Sequence, residues 1–550
     1  MPALRRARRE GGGSGGPAAN VRGTAPQTKT EIGPAGSRSL EALVVSINQA
    51  SDARHWYTAT KELQLVSLPL CEACRGAHAV HLRVDDGIPN TLLSAADAHR
   101  PNPAQGDSSR IPRLRARRVM WQLPFSDLLS SPIDTLAEVE ELCFGDAFDG
   151  SLEIQAWPGR LSVAKFGLWS CFNQPIAGVT WPTSLQVLIF GRDFNQPIEG
   201  VTWPISLQRL EFGFDFDQSI ERVVWSESLQ VLTFQGYFNQ PIGGVRWPSS
   251  LQRLFFGQAF NRPIEGVTWP TSLQQLDLGF SYNHPVERAA FPPSLVQLQF
   301  GLTFDQPIQR VKWPMGLQQL MFHGNFNQPI EGVTWPSCLQ LLMFGSDFNQ
   351  PIKGLAWPPS LRQLEIVGDF NQPIEGFAWA PSLKVLTLEY SFDQPIDRVE
   401  WPRSLQSLTL GDAFDQPIGG VRWPASLEQL KFGYQFNQPI DSVTWPPALE
   451  ELAFGVYFDQ PIQGVAWPPS LRRFSLRGKF RQSLWMLGIV MPALERFALR
   501  FWDDLAGYSM LHGIEWPAGL THLIVGRRAH LEGVVIPPNV SVSYKDVSGW

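Results

Sequence analysis

The chain has 550 residues, of which 43% are hydrophobic and only 17% charged, and its formal net charge is −6. There is ample apolar material for a core, and the mild acidity gives no general attraction to nucleic acid or to an anionic membrane. Five scattered cysteines do not make a disulfide framework, and no run approaches the roughly 20 apolar residues that span a bilayer.

Taken in chain order, residues 1–37 read as a disordered basic, Gly- and Ser-rich tail, with an organelle transit segment as the alternative. Residues 38–117 form a poorly defined N-terminal region and linker. Within it lies CEACRGAHAVH, which brings Cys71, Cys74, His78 and His81 into a C-x2-C-x3-H-x2-H spacing. Thiolates and imidazoles are zinc ligands, but the spacing lacks the long central segment of a zinc finger. These four are therefore a weak metal candidate, and no cofactor is expected.

Residues 118–171 read as an N-terminal cap with degenerate repeats. From Phe172 an aromatic residue opens a new copy every 22 residues as far as Phe458, fourteen copies in all, over residues 172–479. Residues 480–550 are degenerate repeats and a C-terminal cap. A fixed period of this length signals a stacked repeat architecture in which each unit is a neighbour for the next.

Positions in a copy can be counted from its opening aromatic. Proline at offsets 3 and 10 excludes helix interiors and central strand positions. Leucine, leucine and phenylalanine at offsets 13, 16 and 18, as in Leu185, Leu188 and Phe190, have the LxxLxF pattern of an approach turn and a half-buried strand. One such strand cannot bury its apolar face alone. Stacked at about 4.8 Å, the copies make a long parallel sheet. The expected fold is a β-rich solenoid of 22-residue coils with few or no helices.

The residue after the opening aromatic is Asn nine times and Asp five times. Both offer a carbonyl-type acceptor, so acceptance is the shared property. The expectation is a side chain turned onto backbone N–H groups of its own turn, in preference to an enclosed dry Asn ladder that would bury Asp charges. Trp fills offset 9 in thirteen copies, with Phe291 in the fourteenth. A stacked internal seam is the expected role; a sugar-binding platform is the competing one. Phe, Ile, Trp, Leu, Leu and Phe then supply six large inward groups per coil. Acidic residues recur at offset 5, as Glu199, Glu265 and Glu375, and are expected on a solvated edge.

Offsets 15, 17, 20 and 21 are mixed in identity and face outward. The aromatic and methionine residues among them are candidates for partner binding: Phe214, Tyr237, Phe255, Phe280, Met321, Met343, Tyr390, Tyr434 and Tyr457. No GxSxG, HExxH or P-loop occurs, and no unlike catalytic groups converge in the repeat, so an enzyme is not expected.

The sentence LxFGxxFNQPIxxVxWPxSLxxLxFG resembles the FNIP repeat, a 22-residue relative of the leucine-rich repeats. The resemblance is strong over about 148–480 and extends in worn form over 124–544. It implies an LRR-like solenoid, with LxxLxF at 185–190, 251–256 and 427–432 as sheet strands and FNQPI at 172–176 as the turn out of the strand. It also implies protein binding without catalysis. The WP at offset 9 departs from the family, which more often has Leu-Pro or Ile-Pro there, and residues 38–123 lack the helical pattern of the F-box that sometimes precedes such repeats. The resulting expectation is a cytoplasmic, monomeric scaffold that binds an unidentified protein through its variable outward face. The alternatives are a carbohydrate-binding or carbohydrate-active solenoid and a surface adhesin, with an organelle or the cell exterior as the other locations.

Overall fold

The computed structural model describes residues 81–83, 118–121, 139–153, 157–501, 511, 513–526, 531 and 533–544. The expectations for the tail, for most of the linker and for Cys71, Cys74 and His78 lie outside these residues. His81 opens a described strand, His81–Arg83.

Among the described residues, twenty-one short strands make one sheet. From Arg118–Trp121 onward each strand runs parallel to the next; only His81–Arg83 is antiparallel to its neighbour. Through the array the register advances by one repeat per strand. Leu298 lies beside Leu320, Leu320 beside Leu342, and Leu342 beside Leu364. Within the regular array, residues 172–479, the chain returns from strand to strand without helices. The described residues contain one short helix, Leu487–Val490, where the repeat has decayed. The solenoid expected from the period is therefore the observed fold.

Each coil is built from tight turns whose chemistry is written in the repeat. The Val179 N–H donates to the Ile176 carbonyl (3.2 Å), and the Leu185 N–H to the Pro182 carbonyl (3.0 Å). Proline at offset 10 has no N–H to leave unpaired and supplies the carbonyl acceptor that closes the turn. The residue after each strand is mostly glycine for a reason of space. A Cβ on Gly213 would stand 1.7 Å from the Gly191 carbonyl oxygen one coil back. At Gly213 the backbones of adjacent coils touch, and no side chain fits between them.

The core is one continuous column. Phe at offset 0 is sealed in coil after coil, and successive rings stack, as Phe216 on Phe238 at 6.1 Å. The strand phenylalanines interleave with them; Phe212 and Phe216 are 4.1 Å apart. Ile176 and Leu188 and their copies complete the interior. Tryptophan is buried in ten copies, and Trp247, Trp423, Trp467 and Phe291 pack partly buried against the same core. A seventh inward position exists at offset 7, where Val179, Val201 and Val223 are buried. Its constancy was visible in the sequence, but its small size hid its role beside the larger aromatic residues.

The Asn and Asp residues at offset 1 do accept, but from the next coil. Asn173 Oδ1 takes the Asn195 N–H (2.9 Å) and the Gln196 Nε2 (3.0 Å). Asp217 Oδ1 takes the Asn239 N–H and the Gln240 Nε2, both at 2.8 Å. The own-turn expectation is corrected: these residues form a ladder that ties coil to coil. The ladder is half-exposed, so a carboxylate keeps part of its hydration and Asp is tolerated. The Gln at offset 2 completes it. A second ladder runs at offset 12, where the Ser206 hydroxyl donates to the Leu185 carbonyl (2.7 Å).

Candidate functional site

Two outward strips carry the candidate residues once the core and ladders are removed. The first is the sheet face, offsets 15 and 17. Most strands show alternation of buried and half-buried residues, so the face is shielded by its own neighbours rather than fully open. Phe255, Met321 and Met343 lie here, each half-buried. Met321 stands beside Met343 and Gln299 in register. Glu211 is nearly covered and pairs with Arg209 on its own strand. Lys431 reaches Glu451 at 3.2 Å, and Arg473 reaches Glu451 at 3.0 Å.

The second strip is the rim, offsets 19 to 21, where each strand turns toward the next opening aromatic. The turn is locked between coils. The Tyr237 N–H donates to the Phe214 carbonyl (2.7 Å), the Ala413 N–H to the Tyr390 carbonyl (2.7 Å), and the Tyr457 N–H to the Tyr434 carbonyl (2.9 Å). Rim side chains are thereby held in register one coil apart. Phe214 and Tyr237 meet edge to face at 5.1 Å, and Tyr434 and Tyr457 do so at 5.2 Å. Tyr237, Phe280, Tyr390, Tyr434 and Tyr457 are exposed, and Phe214 is half-buried. The nine candidate residues therefore divide into six on the rim and three on the sheet face.

The exposed apolar surface is not spread evenly. Of fifteen exposed large hydrophobic side chains among the described residues, eight belong to the rim turns: Leu168, Trp169, Tyr237, Phe280, Leu302, Tyr390, Tyr434 and Tyr457. The sequence showed mixed identity at these positions; that the turn would carry more exposed apolar surface than the sheet could not be read from the pattern.

The row at offset 5 is exposed, as expected. It is also partly paired across coils: Arg222 lies 3.6 Å from Glu199, Arg288 3.5 Å from Glu265, and Arg398 3.7 Å from Glu375. Such open pairs contribute about 0–1 kcal/mol each and are a solvated edge rather than a site. The tryptophan row offers no platform to a sugar. Its ring faces are taken by neighbours, as in Trp247 on Trp269 at 6.3 Å, and in eleven array copies the indole nitrogen is buried without an acceptor. Among the described residues, no group of three or more His, Cys, Asp or Glu is placed to hold a metal ion, and no helix is long and apolar enough to cross a membrane.

These features define an LRR-type solenoid, a parallel sheet with short returns and a custom-written outward side. The FNIP Repeat model matches residues 172–215, 260–303, 326–369, 370–413, 392–435, 414–457 and 436–477. The chain is also similar to CroV588, described as a circular LRR protein: 31% identity over 75% of this chain and 67% of that one, with a TM-score of 0.58. The chain belongs to the FNIP-repeat family. The TLR13–ssRNA13 complex gives a TM-score of 0.50 at 15% identity, covering 74% of this chain and 62% of that one, a likeness of fold alone. No curated protein matches the chain.

Proposed function

We propose that the array is a non-catalytic scaffold that binds a partner protein through its outward side, with the rim as the principal contact strip. The observation that carries this is the concentration of exposed aromatic and aliphatic side chains on the rim, held in register by the inter-coil turns. Exposed apolar side chains gathered on one strip point to an interaction site in a way that singly scattered ones do not. Aromatic residues are enriched at protein interfaces because a rigid ring buries much area at small entropic cost. Nucleic acid does not suit this strip. Between Arg192 and Arg477 the rim positions carry six carboxylates and no Lys or Arg, a charge that repels a polyanion. The TLR13 structure holds single-stranded RNA on a related fold, but that ligand does not transfer to an acidic rim. A cytoplasmic location fits the exposed free thiols Cys171 and Cys338.

The test is differential capture. The full chain and the triple rim variant Tyr237→Ala, Phe280→Ala, Tyr434→Ala are compared as baits by quantitative mass spectrometry. The variant is expected to fold as the parent does and to lose a defined set of partners. Identical capture by both would remove this side of the molecule from the account.

A further inference from the structure

The two ends of the rim show how its aromatic rings are completed. At one end the Arg192 guanidinium sits over the Trp169 ring at 5.4 Å. At the other the Lys479 ammonium sits over the Tyr457 ring at 4.0 Å. In each case the cation comes from the following coil. Between Arg192 and Arg477 the chain supplies no further rim cation, while Asp193, Asp215, Asp347, Asp369, Glu389 and Asp412 supply carboxylates. The middle of the rim thus keeps both components of cation recognition, an aromatic face and negative charge, and lacks the cation.

Tyr390 is where these converge. Its side chain is exposed, and Glu389 precedes it in the same turn. Asp369 is in the preceding coil and Asp412 in the following one, joined through the Gly368 and Tyr390 carbonyls. Burial, and then the charges of Glu365 and Asp412, push the Glu389 carboxyl up from its ordinary range. The backbone of Tyr390 is left-handed, with φ of 52°. At the same rim position Gly236, Gly324, Gly368 and Gly478 are also left-handed. Folding alone would place glycine at 390 as well.

We propose that the rim around Tyr390 receives an arginine or lysine side chain from a basic segment of a partner protein, seated on the Tyr390 ring between Glu389 and Asp412. This rests on the reading of the outward side as a partner-binding face. Charge complementarity selects the occupant: the acidic rim disfavours acidic segments, and the two cations the chain does place on rim rings show the geometry that a visiting cation would adopt.

The experiment uses the full chain and a fluorescein-labelled 12-residue peptide of alternating Arg and Gly. Its controls are the same peptide with citrulline, which keeps the shape of arginine without the charge, and with Glu. Anisotropy should report binding of the Arg peptide and not of the other two. Tyr390→Gly keeps every charge and relieves the left-handed backbone; it is expected to melt no lower than the parent yet bind the Arg peptide about fivefold more weakly. The double variant Glu389→Gln, Asp412→Asn should weaken binding further and flatten its salt dependence. Equal affinity of Tyr390→Gly and the parent, or equal binding of the citrulline peptide, would overturn the receptor. That failure is separable from failure of the partner face: loss of capture by the triple variant together with a peptide indifferent to Tyr390 removes only the cation receptor, whereas unchanged capture by the triple variant removes the face on which it rests.

Discussion

Phe392 and Tyr390 are two residues apart and obey different rules. Phe392 is fully enclosed and stacks on Phe370 and on Phe414, at 6.1 Å from each. Tyr390 is 55% exposed and holds a backbone conformation that its neighbours reserve for glycine. The first residue is repeated because every coil must present the same surface to the next. The second varies because no neighbouring coil depends on it. In a solenoid the period marks what the chain needs from itself, and the breaks in identity mark where it is available to something else.

The comparison is broken most severely from the inside. Leu320→Ala removes an enclosed strand residue flanked by Leu298 and Leu342 and should cost about 2–5 kcal/mol, with the loss shared by adjacent coils. Denaturant melts of the full chain check this; a midpoint equal to the parent's would contradict the burial. The ladder should rank next. Asn327→Ala leaves the Asn349 N–H without its acceptor and the Gln350 amide with the Asn327 backbone carbonyl alone, and should cost about 1–3 kcal/mol, whereas Asn327→Asp keeps Oδ1 and should lie close to the parent. Equal losses from both substitutions would show that acceptance is not what the position supplies.

The smallest expected effect sharpens the rim. The Glu389 carboxyl is raised by burial and then by Glu365 and Asp412, so the folded chain holds that proton to higher pH than the unfolded chain. Its contribution to stability is present below the ordinary glutamate range and is lost as pH rises through the raised value. Glu389→Gln should therefore raise the melting midpoint slightly at neutral pH and leave it unchanged in acid. A fall at neutral pH would mean that the ionised carboxyl is held by a favourable contact.

Much of this was legible in the residues. The strand was written in Leu185, Leu188 and Phe190, and the inward tryptophan in the ease with which Phe291 replaces it. Acceptance at offset 1 was legible from the Asn and Asp exchange, but the direction of the bond was not. Asn173 is as close in sequence to its own turn as Asn195 is in space, and identical turns give identical signals; only the stacking decides between them. How far the sheet face is covered was not legible for a related reason: alternation tells which way Met321 points, but its cover comes from strands on either side. The left-handed turn at Tyr390 was hidden because its residue type does not announce it. Four glycines at the same rim position do, once the coils are superposed.

The claim that inward residues hold the fold and rim residues serve a partner is tested most directly by calorimetric melting of two single variants of the full chain. Phe392→Ala should lower stability by about 3–5 kcal/mol, and Tyr390→Gly should melt at or above the parent temperature. A Tyr390→Gly variant that loses as much as Phe392→Ala would make the rim part of the structural frame and contradict the account.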